Sequence, residues 1–236
     1  MKVLVISDTH IVPSNPLPNL WKLVGEYCVK TKPDVIVHLG DVADLSSLSW
    51  LKAARGPYTI EQEIDCVREH LEAFSQALLD YNKIRRQMKK AIYKPRKILC
   101  LGNHDVRQDN TLIDDLFTDF GWEVYPYQDI VQIDGVNFSH CMRKGLSDVM
   151  CTTAQELLEN WHGNIVVGHG HHKDYAESYS LATCEQIVAL KSPVFNLNEP
   201  DWAKQTFFKW SRGFTEIETS PFNFVWKDIQ CLLENS

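Results

Sequence analysis

Leu101-Gly102-Asn103-His104-Asp105 follows directly on Lys97-Ile98-Leu99-Cys100, and together they read as a short buried strand that ends in a turn. The turn presents an amide, an imidazole and a carboxylate in a row. Three other apolar runs end in the same manner. Val3-Leu4-Val5-Ile6 runs into Ser7-Asp8-Thr9-His10, Val35-Ile36-Val37-His38-Leu39 into Gly40-Asp41-Val42-Ala43-Asp44, and Ile165-Val166-Val167 into Gly168-His169-Gly170-His171. Ligands in open α/β sheets bind outside the carboxyl ends of the strands. Four strands that deliver oxygen and nitrogen donors to one edge therefore predict a metal site built from strand tips.

The rest of the chain fits around this edge. Leu20, Leu23, Val24, Tyr27 and Cys28 recur at helical spacing after a loop with Pro13, Pro16 and Pro18, and Asn19 is placed to cap that helix. Pro33-Asp34 ends it before the next strand, which makes a right-handed βαβ unit. Thr59 and Gln62 form a capping box. Ile60, Ile64, Val67, Leu71, Phe74, Leu78 and Tyr81 then make a narrow apolar stripe, with Met88 and Ile92 in phase. The spacing predicts one long helix, or two with a break, ending before Pro95; unbroken, it would approach ~50 Å. The stripe faces another helix of this chain, or its copy in a homodimer. Eight Lys or Arg and no acid lie between Lys83 and Lys97, either as a solvated helix end or as a phosphate contact beside the site.

Further on, Asn110 or Thr111 caps a helix carrying Leu112, Leu116 and Phe117 that ends at Gly121. Residues 122–127, 130–133 and 136–138 read as strands, with an Asp134-Gly135 hairpin turn, leading to Ser139-His140. Thr153 and Glu156 form a second capping box. Residues 186–190 and a hairpin around Ser220-Pro221 complete the strands.

Composition narrows the classes. A chain of 236 residues with 44% hydrophobic residues and no internal linker predicts a single domain over 1–236, with a helical insertion at about 57–94. The net charge of −7 argues against a generally basic nucleic-acid surface. No apolar run is long enough for a membrane span. Met1-Lys2 leads straight into a strand without the apolar run of a secretory signal, and seven cysteines lack paired spacing, so a cytoplasmic protein with reduced thiols is expected.

The donor set Asp8, His10, Asp41, Asn103, His140, His169 and His171 is too large for one tetrahedral ion and suits two ions sharing a carboxylate. Mixed carboxylate, imidazole and amide donors favour Mn, with Fe, Zn or Ni as alternatives, over Ca or Mg. Two such ions clamp the attacking and leaving oxygens of a displacement at phosphorus and acidify a bridging water, which is phosphoester hydrolysis. His104 is then the non-ligand acid, with Asp44 available to orient it.

Asp8-x-His10, Gly40-Asp41-x-x-Asp44, Gly102-Asn103-His104-Asp105, His140 and Gly168-His169-x-His171 together resemble the five blocks of the calcineurin-like metallophosphoesterase superfamily, in the right order and over about two thirds of the chain. The resemblance implies a four-layer α/β/β/α sandwich and a dinuclear centre. It implies that Asp8, His10 and His171 hold one ion, that Asn103, His140 and His169 hold the other, and that Asp41 bridges them. It also implies His104 beside the substrate phosphate, paired with Asp44. Leu45 after Asp44, and Asp105 after the Asn-His pair, differ from the protein Ser/Thr phosphatase branch. Gly170 stands where Thr or Ser is usual. The Ser47-Leu48-Ser49 stretch, a long helix and Asn-His-Asp-x-Arg are similar to a subgroup of phage and bacterial genomes, which makes Arg107 a candidate phosphate contact.

The expected function is metal-dependent hydrolysis of a phosphodiester or phosphomonoester by a metal-bridging hydroxide with help from His104. The alternatives are a nuclease acting on DNA ends or single strands, and a non-catalytic binding scaffold. The remaining histidines at 38, 70, 162 and 172 are expected to be ordinary core or surface residues, although His172 adjoins His171.

Overall fold

The computed structural model describes residues 1–13, 20–50, 55–180, 185–197, 203 and 209–234. In the first sheet β1 (Lys2–Ile6), β2 (Val35–His38), β3 (Arg96–Cys100) and β4 (Glu123–Tyr125) run parallel. The second sheet contains β5 (Val131–Ile133), β6 (Val136–Ser139), β7 (Asn164–Val167), β8 (Asp174–Ser180) and β9 (Glu185–Lys191) in the order β5-β6-β7-β9-β8. A hairpin of β10 (Phe214–Thr219) and β11 (Phe222–Lys227) returns to the first sheet and pairs antiparallel with β1, so its order is β11-β10-β1-β2-β3-β4.

The alternation of side chains along each strand builds the layers. In β1, Val3 and Val5 enter the core between the sheets, while Leu4 and Ile6 enter the core under the helices. Ile36 and Leu99 follow the second pattern, and Val35, Val37, Ile98 and Cys100 the first. Helices α1 (Leu20–Thr31), α2 (Ile60–Gln87), α3 (Leu112–Asp119) and α5 (Gln230–Leu233) contribute to the core on that outer face of sheet one. Helix α4 (Ala154–Asn160) covers the far side of sheet two, where Ala154 and Leu157 meet Ile165, Val167 and Ala189. The result is an α/β/β/α sandwich.

Helix α2 is one unbroken helix, opened by the Thr59–Gln62 capping box. Its stripe is covered by α1 of the same chain, with Val67, Leu71 and Phe74 fully buried. Gly25 of α1 allows this close packing, because a Cβ there would sit 2.7 Å from the Phe74 carbonyl oxygen. Phe74 meets Trp21 and Trp122 at ring distances of 6.1 and 5.8 Å. Phe74→Ala is expected to cost about 3–5 kcal/mol in urea unfolding, the usual range for emptying an aromatic site.

One expectation about this region fails. The helix stops at Gln87, so Met88 and Ile92 are exposed rather than part of the stripe. Lys89 is left-handed at φ 53°, and Asn82 holds the returning chain by bonds to Tyr93 N (2.8 Å) and Tyr93 O (2.7 Å). The basic residues 83–97 do not lie beside the strand tips. They lead into the amino end of β3, and a strand of five residues puts its first and last residues ~13 Å apart. Arg96 pairs with Glu123 at 2.6 Å, and Lys97 donates to the Phe120 carbonyl.

Strand β8 escaped the sequence reading. Asp-Tyr-Ala-Glu-Ser-Tyr-Ser carries little apolar signal because β8 is an edge strand with Tyr175 and Tyr179 half exposed. Asn19, Pro16 and Pro18 lie outside the described residues.

Candidate metal centre

The carboxyl ends of β1, β2 and β3 meet those of β6 and β7 along the seam between the sheets. Backbone bonds carry the pairing past the strands. Asp8 N–H donates to Gly40 O (3.0 Å), His10 N–H to Asp41 O (3.0 Å), and Gly168 N–H to His140 O (3.0 Å). Gly102 lets the two central loops touch, since a Cβ there would overlap the backbone nitrogen and carboxylate of Asp41. Asp8, His10, Asp41, His169 and His171 all take positive φ, between 40° and 63°. Non-glycine residues in that region are uncommon and gather at ligand clamps.

These loops bring the donors into two overlapping groups. Asp8, His10, Asp41 and His171 have donor atoms within 4.8 Å of one another, and so do Asp41, His140 and His169. Asn103 Oδ1 lies 3.1 Å from His140 Nε2. Asp41 belongs to both groups. Its Oδ1 accepts the His104 N–H at 2.8 Å, while Oδ2 faces His10 Nε2 at 3.9 Å and His140 Nε2 at 3.5 Å.

The tautomers fit a cation. His140 Nδ1 lies 2.6 Å from Leu39 O and so carries the proton, which leaves a lone pair on Nε2. That lone pair points at Asp41 Oδ2 and at His169 Nδ1, 3.2 Å away. His10 Nε2 and His171 Nε2 likewise face each other at 3.1 Å, with Asp8 Oδ1 3.4 Å from His171. Converging acceptors in a buried site repel one another unless a cation or proton lies among them, and this donor set suits divalent ions.

Electrostatics follow the same geometry. Burial opposes ionisation of Asp8, but its hydrogen bond to His171 and the neighbouring histidines hold it well below the usual carboxylate range. Burial likewise opposes ionisation of Asp41, which His140, His104 and His10 hold low. Burial lowers His10 and His169, keeping them neutral as ligands require.

His104 lies beside this cluster. Its Nδ1 is 3.1 Å from Asp44 Oδ1 and 3.0 Å from Asp44 O. Burial pulls its pKa down, yet Asp41 and Asp44 outweigh burial and raise it to about 9. Arg107 Nη2 lies 3.0 Å from His104 Nε2, and Nη1 donates to Asp44 O at 2.6 Å and Leu45 O at 3.2 Å. Two cationic donors at that distance repel unless an anion lies between them or Nε2 gives up its proton.

Two residues at the site had no role assigned from sequence, although Asp105 stands in the Asn-His-Asp block. Asp105 is buried and accepts from Val42 N at 2.9 Å and Gly102 N at 2.8 Å, which fastens the Asp41 loop to the Asn103 loop. Burial, then the charge of Asp41, pushes its carboxyl up to about 7. Glu63, on α2, is fully buried against Ser46 and Ser47. It falls between Ile60 and Val67 on the apolar face of the helix, and a lone charge there was the available signal. The other histidines stand apart from the donor groups. His38 accepts the Gly40 N–H on Nδ1 at 3.0 Å, lies 3.2 Å from Thr9 Oγ1 and stacks on Trp21, with burial lowering it to about 3. His70 bonds Cys66 O at 2.8 Å, His172 bonds Gly170 O, and His162 is exposed.

A model of the calcineurin-like phosphoesterase family matches residues 1–205. The chain belongs to that family. Its fold and its cluster of Asp and His donors fit a calcineurin-like phosphoesterase, whose chemistry is phosphoester hydrolysis at divalent metals. Pseudomonas putida nuclease MPE is similar over 94% of this chain and 87% of its own, at 13% identity and a TM-score of 0.40. A second solved structure is similar over 97% of this chain and 98% of its own, at 9% identity and a TM-score of 0.44. Likeness at these scores carries no argument about substrate. No curated protein matches. No helix of the described residues is long and apolar enough to cross a membrane.

Proposed function

We propose that this calcineurin-like phosphoesterase holds two divalent ions and hydrolyses a phosphodiester or phosphomonoester, with His104 as proton donor. The observation that carries the reading is the position of Asp41, whose Oδ2 faces one histidine from each donor group. Asp8, His10 and His171 would hold one ion with Asp41, and Asn103, His140 and His169 the other. When bound, such ions supply charge neutralisation at the phosphoryl oxygens and a nucleophile at neutral pH.

The remaining work falls to the protein. Asp44 fixes the His104 ring through Nδ1, which leaves Nε2 as the atom that passes a proton to the leaving oxygen. Arg107 converges with Nε2, so one anionic oxygen placed between them would take a hydrogen bond from each. A scaffold without turnover has no use for this oriented imidazole beside the donors. Residues 83–97 enter β3 at its amino end, opposite the strand tips, which supports a small ester as the favoured substrate.

The test starts from protein stripped of metal and reloaded with Mn²⁺, Fe²⁺, Zn²⁺ or Ni²⁺. The expected result is two ions per chain and turnover of p-nitrophenyl phosphate, bis(p-nitrophenyl) phosphate or both, without cleavage of single-stranded DNA. DNA cleavage would move the substrate to nucleic acid, and two bound ions without any turnover would return the scaffold.

A further inference from the structure

The His104–Asp44 pair depends on a loop whose Asp44 carboxylate also faces His10 Nδ1 at 3.6 Å. Asp44 is followed by Leu45, left-handed at φ 42°, and by a single 3-10 turn over Ser46–Leu48. One side of this loop is tied to the segment after His104, where Arg107 bonds the carbonyls of Asp44 and Leu45 and Gln108 bonds Leu48 O at 2.9 Å. The other side is tied to Glu63 of α2. Glu63 Oε1 accepts Ser46 N–H at 2.7 Å and Ser46 Oγ–H at 2.9 Å, and Oε2 accepts Ser47 N–H at 3.2 Å and the Ser47 hydroxyl. A fully buried carboxylate whose bonds among the described residues go to two consecutive serines acts as a clamp. Charge-assisted bonds of this kind are about twice as strong as neutral ones.

We propose that Glu63 is a positioning residue for the His104–Asp44 pair, acting through Ser46 and Ser47. This rests on the phosphoesterase reading only for its kinetic consequence. The first turn of the long helix thus has a task at the site, while the stripe behind it packs on α1. Without the clamp, Ser46 and Ser47 turn to water, Asp44 loses its fixed place, and His104 loses the partner that orients its ring. The donor groups around Asp41 meet the loop only where His10 Nδ1 faces Asp44 Oδ1 at 3.6 Å, on the ring nitrogen turned away from Asp41, so the ligand side of the cluster is expected to keep its ions.

The test compares Glu63→Ala, Glu63→Gln and Ser47→Ala with wild type. Gln keeps an oxygen for Ser46 and can donate to the Ser47 hydroxyl, so it restores part of the clamp. Ser47→Ala removes one bond and keeps the test alive if Glu63→Ala does not fold. In ¹⁵N-labelled protein, the His104 Nδ1–H resonance is expected in wild type, lost to exchange with water in Glu63→Ala, weakened in Ser47→Ala and regained in Glu63→Gln. With metal restored, Glu63→Ala is expected to keep two ions per chain and an unchanged KM. Its kcat should fall at least about tenfold on a diester with an alkyl leaving group, and less than about threefold on bis(p-nitrophenyl) phosphate, whose leaving group needs little protonation. A His104 resonance that persists in Glu63→Ala overturns the proposal, and so does an equal loss on both esters. If wild type hydrolyses neither ester, the phosphoesterase reading fails, and the resonance still decides the role of Glu63.

Discussion

Asp41→Asn is expected to lose both metal ions and all hydrolysis above the level of buffer, while the fold survives. The substitution keeps the size of the side chain and an oxygen to accept the His104 N–H, now 2.8 Å from Oδ1. It removes the charge that faces His10 and His140 from the seam between the sheets. An amide has one oxygen, and using it for His104 turns the NH2 group toward the two ligand groups. Donors then stand where acceptors must converge, so both ions lose their shared ligand together. Metal content per chain and far-UV circular dichroism check this directly. Retention of two ions by a folded Asp41→Asn protein would show that Asp41 is not the bridge.

How much of this could be read from the sequence depends on where each residue acts. Strand tips were legible because parallel strands buried on both faces are short continuous apolar runs, and the next residues are the site. Asp8, His10, Asp41, Asn103, His169 and His171 were placed in this way, and the structure gathers them with His140. Asp105 acts instead through the backbone N–H groups of Val42 and Gly102, and Glu63 through the N–H groups and hydroxyls of Ser46 and Ser47. A backbone donor leaves no mark in a sequence, and the two serine hydroxyls that also meet Glu63 lie sixteen and seventeen residues before it with no pattern linking them. The left-handed turns at Asp8, His10, Asp41, His169 and His171 were hidden for a related reason, since no glycine marks them. Residues 83–97 were left with two readings for another reason. Their charge was plain, but their position depended on which end of β3 they approach, and composition does not carry direction.

His104→Ala separates the acid from the ligands. The side chain contacts Asp44 through Nδ1 and Arg107 through Nε2, and its backbone N–H, which serves Asp41, survives truncation. Both ions should therefore stay, and kcat should fall by roughly 10²–10⁴, the usual worth of a positioned general acid. The loss should be greatest for poor leaving groups and small for p-nitrophenol, which departs without a proton. Arg107 remains held by the carbonyls of Asp44 and Leu45, so KM should change much less than kcat. Metal content and kcat on an alkyl and an aryl ester are the measurements. Metal loss in this variant would place His104 among the ligands, where its 3.1 Å contact with Asp44 and the 4.7 Å approach of its ring to His10 would then have to be read as a third coordinating group.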